Sequence, residues 1–224
     1  MRYEEVIDLL KSQSNPQNVE GMRRFGINTK SALGLSKPQL DAMAKKIGKN
    51  HELAKQLWAS GIHEARHAAA LIDDPKLVSE EQMESWVSDF DSWDICDGTC
   101  SLFDKTPFAY RKALEWSERE EEFVKRAGFV LMAELAVHDK VAEDGKFLQF
   151  LPVIKREATD ERNFVKKAVN WALRQIGKRN LPLNSHAVRM AEEIALIDSR
   201  SARWIASDAL RELRSEAVQN RLRR

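Results

Sequence analysis

Apolar residues recur at helical spacing along almost the whole chain. In residues 163–178 they occupy i, i+3 and i+4 positions: Val165, Ala168, Val169, Ala172, Leu173 and Ile176. Such a stripe is one face of an amphipathic helix and must pack against a core. No convincing run alternates apolar and polar residues as a half-buried strand does, and nine Gly and six Pro are few for a turn-rich fold of 224 residues. The sequence therefore predicts an all-α protein.

The predicted helices come in pairs of roughly 35 to 40 residues, a period typical of helical repeats. In the second helix of each pair a charged residue or two stands beside an Ala, at Arg66, Arg126, Lys167 and Arg203. Period and composition favour HEAT-like repeats stacked into an α-solenoid, an α–α superhelix. We expect one such domain over residues 1–224. The alternative is an irregular all-α globule.

The sequence indicates no secretory signal, no membrane span and no metal site. The N-terminal segment lacks a basic stretch followed by an apolar one, so no secretory signal is expected, and no stretch approaches the ~18 apolar residues of a membrane span. Cys96 and Cys100 are expected to be reduced thiols. His63 and His67 have metal-like i, i+4 spacing, but no third ligand is evident beyond Glu64, so surface or capping roles are expected. The expectation is a cytoplasmic protein with no metal and no membrane contact.

Charge is distributed unevenly although the formal net charge is only +1. Residues 155–189 contain nine Lys and Arg against three acids, whereas residues 73–104 contain ten acids and one Lys. A basic segment on one face is the electrostatic signature of a surface that binds a polyanion. The charge count is equally consistent with a solvent-exposed helix face that binds no ligand.

The polar face of the 163–178 helix carries a tryptophan among cations. Lys167, Trp171, Arg174 and Lys178 follow at i, i+4, i+7 and i+11. An indole exposed to water lacks the favourable free energy that burial would give it. A Trp between Lys and Arg suits the binding of a flat π-ligand beside phosphates. Alternatively, Trp171 packs against a neighbouring repeat or an Arg stem. The tryptophans expected in the core or between repeats are Trp58, Trp86, Trp116 and Trp204.

A second unusual segment covers residues 90–100. Ser92 is a natural N-cap for a helix that starts at Trp93 or Asp94. Trp93 and Asp97 then share a face, one turn apart. Asp94 lies near the positive end of that helix, which stabilises a carboxylate, so a capping role is expected. Asp97 lies further in, where it either bonds to a neighbouring helix or serves chemistry.

These segments together resemble the AlkD-like DNA alkylation repair family, the HEAT-like-repeat DNA glycosylases. Four motifs carry the resemblance in order over roughly residues 20–215: Gly21-Met22-Arg23-Arg24-Phe25-Gly26-Ile27, Ser92-Trp93-Asp94-Ile95-Cys96-Asp97, Lys125-Arg126-Ala127 and Lys167-Ala168-Val169-Asn170-Trp171-Ala172-Leu173-Arg174. The resemblance implies an α-solenoid with a concave, basic DNA-binding face. It also implies excision of positively charged N3- and N7-alkylated purines from duplex DNA.

The resemblance assigns the catalytic role to Asp97. The residues expected to contact DNA or the lesion are Trp93, Trp171, Arg126, Lys167, Arg174 and Lys178. It implies no cofactor and no metal, and we expect a monomer that acts in base excision repair. Because the acids of residues 73–104 would repel phosphates, they are expected on the convex side or in loops.

Two other functions stay open: a non-catalytic HEAT-repeat protein that binds DNA, and a scaffold that binds proteins. The sequence contains no P-loop, dinucleotide-binding or serine-hydrolase motif. A protein-binding scaffold has no reason to place an acid such as Asp97 between indoles and beside a basic face. A DNA-binding protein without chemistry would not need Asp97.

Overall fold

The computed structural model describes residues 1–223, which are helical almost throughout and contain no β-strand. They form two compact units, Met1–Thr106 and a second that begins at Pro107. None of the helices in this described part is long and apolar enough to cross a lipid bilayer. The single domain expected over residues 1–224 stays a prediction, and Arg224 lies outside the described residues.

The first unit contains seven α-helices. They are α1 (Tyr3–Ser12), α2 (Pro16–Arg24), α3 (Lys37–Ile47), α4 (His51–Ala59), α5 (His63–Ile72), α6 (Glu80–Ser88) and α7 (Trp93–Phe103). Helix α5 packs against α3, α4 and α7. Its face is lined by Ala65, Ala68 and Ala69, all fully buried, and such short side chains let neighbouring helices approach closely. Trp58 and Trp86 stack in this core with ring centroids 4.1 Å apart, as predicted.

The second unit contains eight α-helices among the described residues. They are α8 (Ala109–Ser117), α9 (Glu122–His138), α10 (Gly145–Leu148), α11 (Phe150–Arg156), α12 (Asn163–Gly177), α13 (Leu181–Ala195), α14 (Arg200–Leu213) and α15 (Glu216–Leu222), with a 3₁₀ turn over Glu157–Thr159. Of these, α9, α12, α13 and α14 are longer than any helix of the first unit. Helix α9 packs against α8 and α12 and is buried nearly all round. A β-carbon added at Gly128 of α9 would lie 2.5 Å from the backbone nitrogen of Ser117, so α8 packs directly on the α9 backbone.

The apolar stripe predicted on the 163–178 helix is confirmed. All six of its residues are fully buried in α12, and burying each of its larger side chains stabilises the unit by about 1.5–3 kcal/mol. The stripe therefore fixes which face of α12 remains for the polar residues.

One sequence separation recurs among the long-range hydrogen bonds of each unit. In the first unit three pairs are 31 residues apart: Leu33 with Glu64, Trp58 with Asp89, and His63 with Asp94. In the second unit a separation of 38 residues recurs, for example between Arg126 and Phe164, Asn170 and Asp208, and Arg174 and Glu212. A recurring separation arises when copies of one helical unit stack on each other. The separation in the second unit lies within the predicted period of 35 to 40 residues, and that in the first unit is shorter.

Candidate functional site

The start of helix α7 sets the positions of two predicted site residues. Ser92 has the extended backbone of an N-cap, as predicted, but its hydroxyl does not cap the helix. It donates instead to Oδ1 of Asp94, at 2.7 Å. Trp93 is half-buried, and its Nε1 donates to the carbonyl oxygen of Phe25 at 3.0 Å. Asp97 follows one turn later and is also half-buried.

Trp93 and Asp97 line the same cavity of the first unit, whose volume is about 360 Å³. Helix α7 contributes Trp93, Asp94, Asp97 and Gly98 to its wall, and helix α5 contributes His63, Glu64 and His67. The remaining lining residues are Met22, Ile27, Leu35, Lys37 and Leu40. A largely apolar wall with a few converging polar groups is typical of a binding site.

Asp94 accepts hydrogen bonds from helix α5. Its Oδ2 lies 2.9 Å from Nε2 of His63 and 3.2 Å from Nε2 of His67. Burial alone would raise the pKa of this carboxyl group, but the hydrogen bonds from the two histidines outweigh burial and hold the pKa of Asp94 well below its ordinary value. Asp94 lies in the first turn of α7, as expected, but the bonds described for its side chain are to Ser92 and the two histidines, so it bridges α7 to α5.

The two histidines are not surface residues, which corrects an expectation. His63 is only 3% exposed, and His67 is half-buried. The third polar group beside them is Asp94, 31 and 27 residues further along the chain, and not Glu64. Glu64 is buried and accepts from the backbone nitrogens of Leu33 and Gly34, at 2.8 and 2.6 Å.

Several acids of residues 73–104 are paired within the first unit. Asp73 is fully buried and lies 2.7 Å from Nδ1 of His51. Asp89 accepts from the indole nitrogen of Trp58 at 2.8 Å. Asp91 accepts from the side chain of Asn28 at 2.7 Å. These hydrogen bonds hold the carboxylates within the first unit, but the indole and the amide are uncharged and do not cancel their negative charge.

The second unit holds the five other predicted site residues. Lys167 is exposed on α12, and Trp171 is half-buried one turn later on the same helix. Trp171 therefore lies on the polar face, as the periodicity predicts.

Arg174 and Lys178, the next two residues of that face, are engaged by helix α14. Arg174 forms an ion pair with Glu212, and Lys178 Nζ lies 2.5 Å from Oε1 of the same carboxylate. Burial raises the pKa of Glu212, but the hydrogen bond from Lys178 and the charge of Arg174 outweigh it and lower the pKa below its ordinary value of 4.5. These two cations are thus partly neutralised inside the unit. Lys178 also lines a cavity of about 520 Å³ with Lys140, Arg179 and Arg221.

Arg126 is 6% exposed on helix α9, and its Nη1 donates to the carbonyl oxygen of Phe164 at 2.6 Å. It therefore ties α9 to the first turn of α12. That Arg126 contacts DNA stays a prediction, as do the roles of the other predicted site residues.

Trp204 was expected in the core or between repeats. It lies outside the core, 41% exposed on helix α14, and Lys166 Nζ of helix α12 lies 5.4 Å from its ring centroid. The apolar stripe of α14 contains Ala202, Ile205, Ala206 and Ala209, which are all buried. Trp204 lies outside that stripe, so the helical periodicity of α14 already indicated that its side chain is exposed.

Comparison with known proteins assigns the family. A family model described as DNA alkylation repair enzyme matches residues 6–213. The chain belongs to this family.

Two Listeria relatives are uncharacterized. Lin0241 of Listeria innocua is 24% identical over 200 residues, 87% of each chain. Lmo0209 of Listeria monocytogenes is 26% identical over 137 residues, which is 59% of this chain and 61% of the relative.

A solved structure has the same fold. It covers 99% of this chain and 96% of its own, with a TM-score of 0.81 and 22% identity. That protein is described as one of a new family related to the HEAT-like repeat DNA glycosylases with affinity for branched DNA structures. The predicted all-α fold of HEAT-like helical repeats is thereby confirmed, and so is the resemblance to the DNA alkylation repair family.

Proposed function

We propose that this protein is a DNA glycosylase that excises positively charged N3- and N7-alkylated purines from duplex DNA, with Asp97 as the catalytic residue. The observation that carries the proposal is the position of Asp97, which shares a 360 Å³ cavity with the indole of Trp93. Membership of a DNA alkylation repair family supports the same substrate class.

The chemistry requires an anion beside the deoxyribose. A cationic alkylpurine is already a good leaving group, and breaking its N-glycosidic bond places positive charge on the sugar, as in an oxocarbenium-like transition state. A fixed carboxylate at Asp97 stabilises that charge more than it stabilises the ground state, and it can orient the attacking water. The π-face of Trp93 interacts more favourably with the sugar as the sugar becomes cationic. None of these steps uses a cofactor.

The second unit is proposed to bind the DNA backbone. Lys167 is exposed and Trp171 is half-buried beside it, which suits contact with phosphates and with the flat faces of sugars and bases. Arg174 and Lys178 exchange Glu212 for phosphate oxygens when DNA binds. Arg126 holds the start of α12, which carries these residues, through the Phe164 carbonyl. We expect the protein to act as a monomer.

The test is release of base from a duplex that contains one N7-methylguanine, with wild type, Asp97→Asn and Asp91→Asn compared. Asp91 belongs to the same acidic segment, is exposed and bonds only to Asn28 among the contacts described for it, so it controls for the change of charge. We expect release by wild type and Asp91→Asn and none above the spontaneous rate by Asp97→Asn. Equal release by all three would refute the role of Asp97.

A second function, branched-DNA binding without chemistry, is supported by the structural relative with affinity for branched DNA. Binding to a four-way junction and to a duplex of equal length separates the two functions. The glycosylase predicts binding to the lesion duplex and base release. Salt-sensitive binding that strongly favours the junction, with no base release, would assign the second function instead.

A further inference from the structure

Three side chains that the proposed chemistry does not use converge in the first unit. Nε2 of His63 and Nε2 of His67 both point at Oδ2 of Asp94, at 2.9 and 3.2 Å. The three potential ligand atoms lie within 4.8 Å of one another. We propose that His63, His67 and Asp94 form a binding site for a divalent transition metal, with Zn²⁺ as the best match. The site lines the same cavity as Trp93 and Asp97, but the proposal does not rest on the glycosylase activity, because its test measures metal binding and not base release.

The spacing of the ligand atoms fits tetrahedral coordination. Zn–N and Zn–O bonds of about 2.0–2.2 Å place neighbouring ligand atoms about 3.3 Å apart in a tetrahedron. The two contacts between nitrogen and oxygen are close to that value. His63 and His67 lie at i and i+4 on α5, so both rings leave the same face of the helix.

The chemistry of the donor set selects the metal. Two imidazole nitrogens and one carboxylate oxygen suit Zn²⁺ and its transition-metal neighbours, whereas Mg²⁺ and Ca²⁺ prefer ligand sets made only of oxygen. Three protein ligands leave one position of a tetrahedron for water. All three ligands line the 360 Å³ cavity, so this fourth position is open to a small molecule.

The surroundings hold the ligands in place. The Ser92 hydroxyl donates to Oδ1 of Asp94 at 2.7 Å, while the histidines contact Oδ2, so Ser92 helps to orient the carboxylate. A β-carbon added at Gly98 would lie only 3.2 Å from Nδ1 of His67. Gly98 therefore gives the imidazole room against α7.

A metal at this point would join α5 to the first turn of α7, the helix that begins with Trp93 and carries Asp97. Hydrogen bonds alone also join these helices, provided that each imidazole donates its Nε2 proton to Asp94. The two arrangements differ in a measurable way, because only the metal site binds one metal ion and gains stability from it.

The experiment titrates full-length protein, first stripped with a chelator, with Zn²⁺ in a calorimeter. We expect one Zn²⁺ per chain and a higher unfolding temperature in its presence. In His67→Gln the amide still donates to Asp94 but the imidazole ligand is lost, so the affinity for Zn²⁺ should fall by at least about 10-fold. The matched control is His186→Gln on α13, whose ring bonds to Arg189 at an exposed site; it should bind Zn²⁺ as wild type does.

Substitution with Co²⁺ identifies the ligands in wild-type protein, even where a variant fails to fold. We expect the visible absorption of tetrahedral Co²⁺ with nitrogen and oxygen ligands. A thiolate charge-transfer band would place the ion on Cys96 and Cys100 and overturn the proposal. So would the absence of stoichiometric binding, or a His67→Gln variant with wild-type affinity.

Discussion

Replacing Glu212 by Gln is expected to strengthen DNA binding while it weakens the second unit. The Glu212 carboxylate pairs with both Arg174 and Lys178, two of the cations proposed to contact phosphates, and its side chain is 28% exposed. The neutral amide cannot hold either cation by charge. The substitution therefore releases Lys178 and leaves Arg174 only its longer ion pair with Asp208, Nε to Oδ2 at 3.6 Å, without altering the residues that would contact DNA.

The cost in stability follows from the same contacts. Loss of a partly exposed ion pair costs about 1 kcal/mol, which lowers the unfolding temperature by about 2–4 °C in a protein of this size. The pKa of Glu212 is lowered in the folded protein from an ordinary value of 4.5. Its stabilising effect is therefore complete above pH 4.5 and is lost as the pH falls through the folded-state pKa. Wild type and Glu212→Gln should differ in unfolding temperature at pH 7 and converge in strong acid.

The gain in DNA binding is measured as the affinity at a fixed salt concentration. Wild type must break the ion pairs of Glu212 before its cations reach phosphates, so removing a cost of about 1 kcal/mol should raise the affinity about 5-fold, with a salt dependence near that of wild type because the same phosphates are neutralised. Glu143→Gln is the control, because Glu143 is an exposed residue of the same unit; it should change neither affinity nor stability. A Glu212→Gln affinity equal to that of wild type would show that Arg174 and Lys178 do not reach phosphates.

Two further substitutions test packing and the wall of the cavity. Gly128→Ala should lower the unfolding temperature by several degrees in a thermal scan, because its β-carbon would lie 2.5 Å from the Ser117 nitrogen. The control Gly145→Ala has open space around it and should leave the unfolding temperature unchanged. Equal unfolding temperatures for the two variants would contradict this account of the packing. Trp93→Phe keeps an aromatic face but removes the hydrogen bond to Phe25, so base release should fall less than in Trp93→Ala; equal losses would show that the aromatic face contributes nothing.

Local periodicity was sufficient to predict the helical elements. Helix α7 begins at Trp93, one of the two starts expected from Ser92 as its N-cap. The buried stripe of α12 was predicted residue by residue because 3.6-residue periodicity is a local property. Trp204 was the exception, because its exposure was judged from its residue type and not from its position relative to the stripe of α14.

The pairing of the site residues could not be predicted, because it depends on how successive repeats stack. The charge count over residues 155–189 does not include the partner of Arg174, because Glu212 follows 38 residues later. Similarly, Asp94 was interpreted from its place in its own helix, although its partner His63 precedes it by 31 residues. Knowing these separations beforehand would have revealed both pairs. A single sequence with degenerate repeats does not give them.

The central claim is that Asp97 carries the chemistry of an alkylpurine DNA glycosylase. The most direct test is the single-turnover rate of base release from a duplex with one N7-methylguanine, measured beside the affinity for the same duplex. Removing a preorganised electrostatic contact costs on the order of 10²–10³ in rate, so Asp97→Asn should lose that much while its affinity for the duplex stays near that of wild type. Release at the spontaneous rate by wild type, or equal rates for wild type and Asp97→Asn, would contradict the claim.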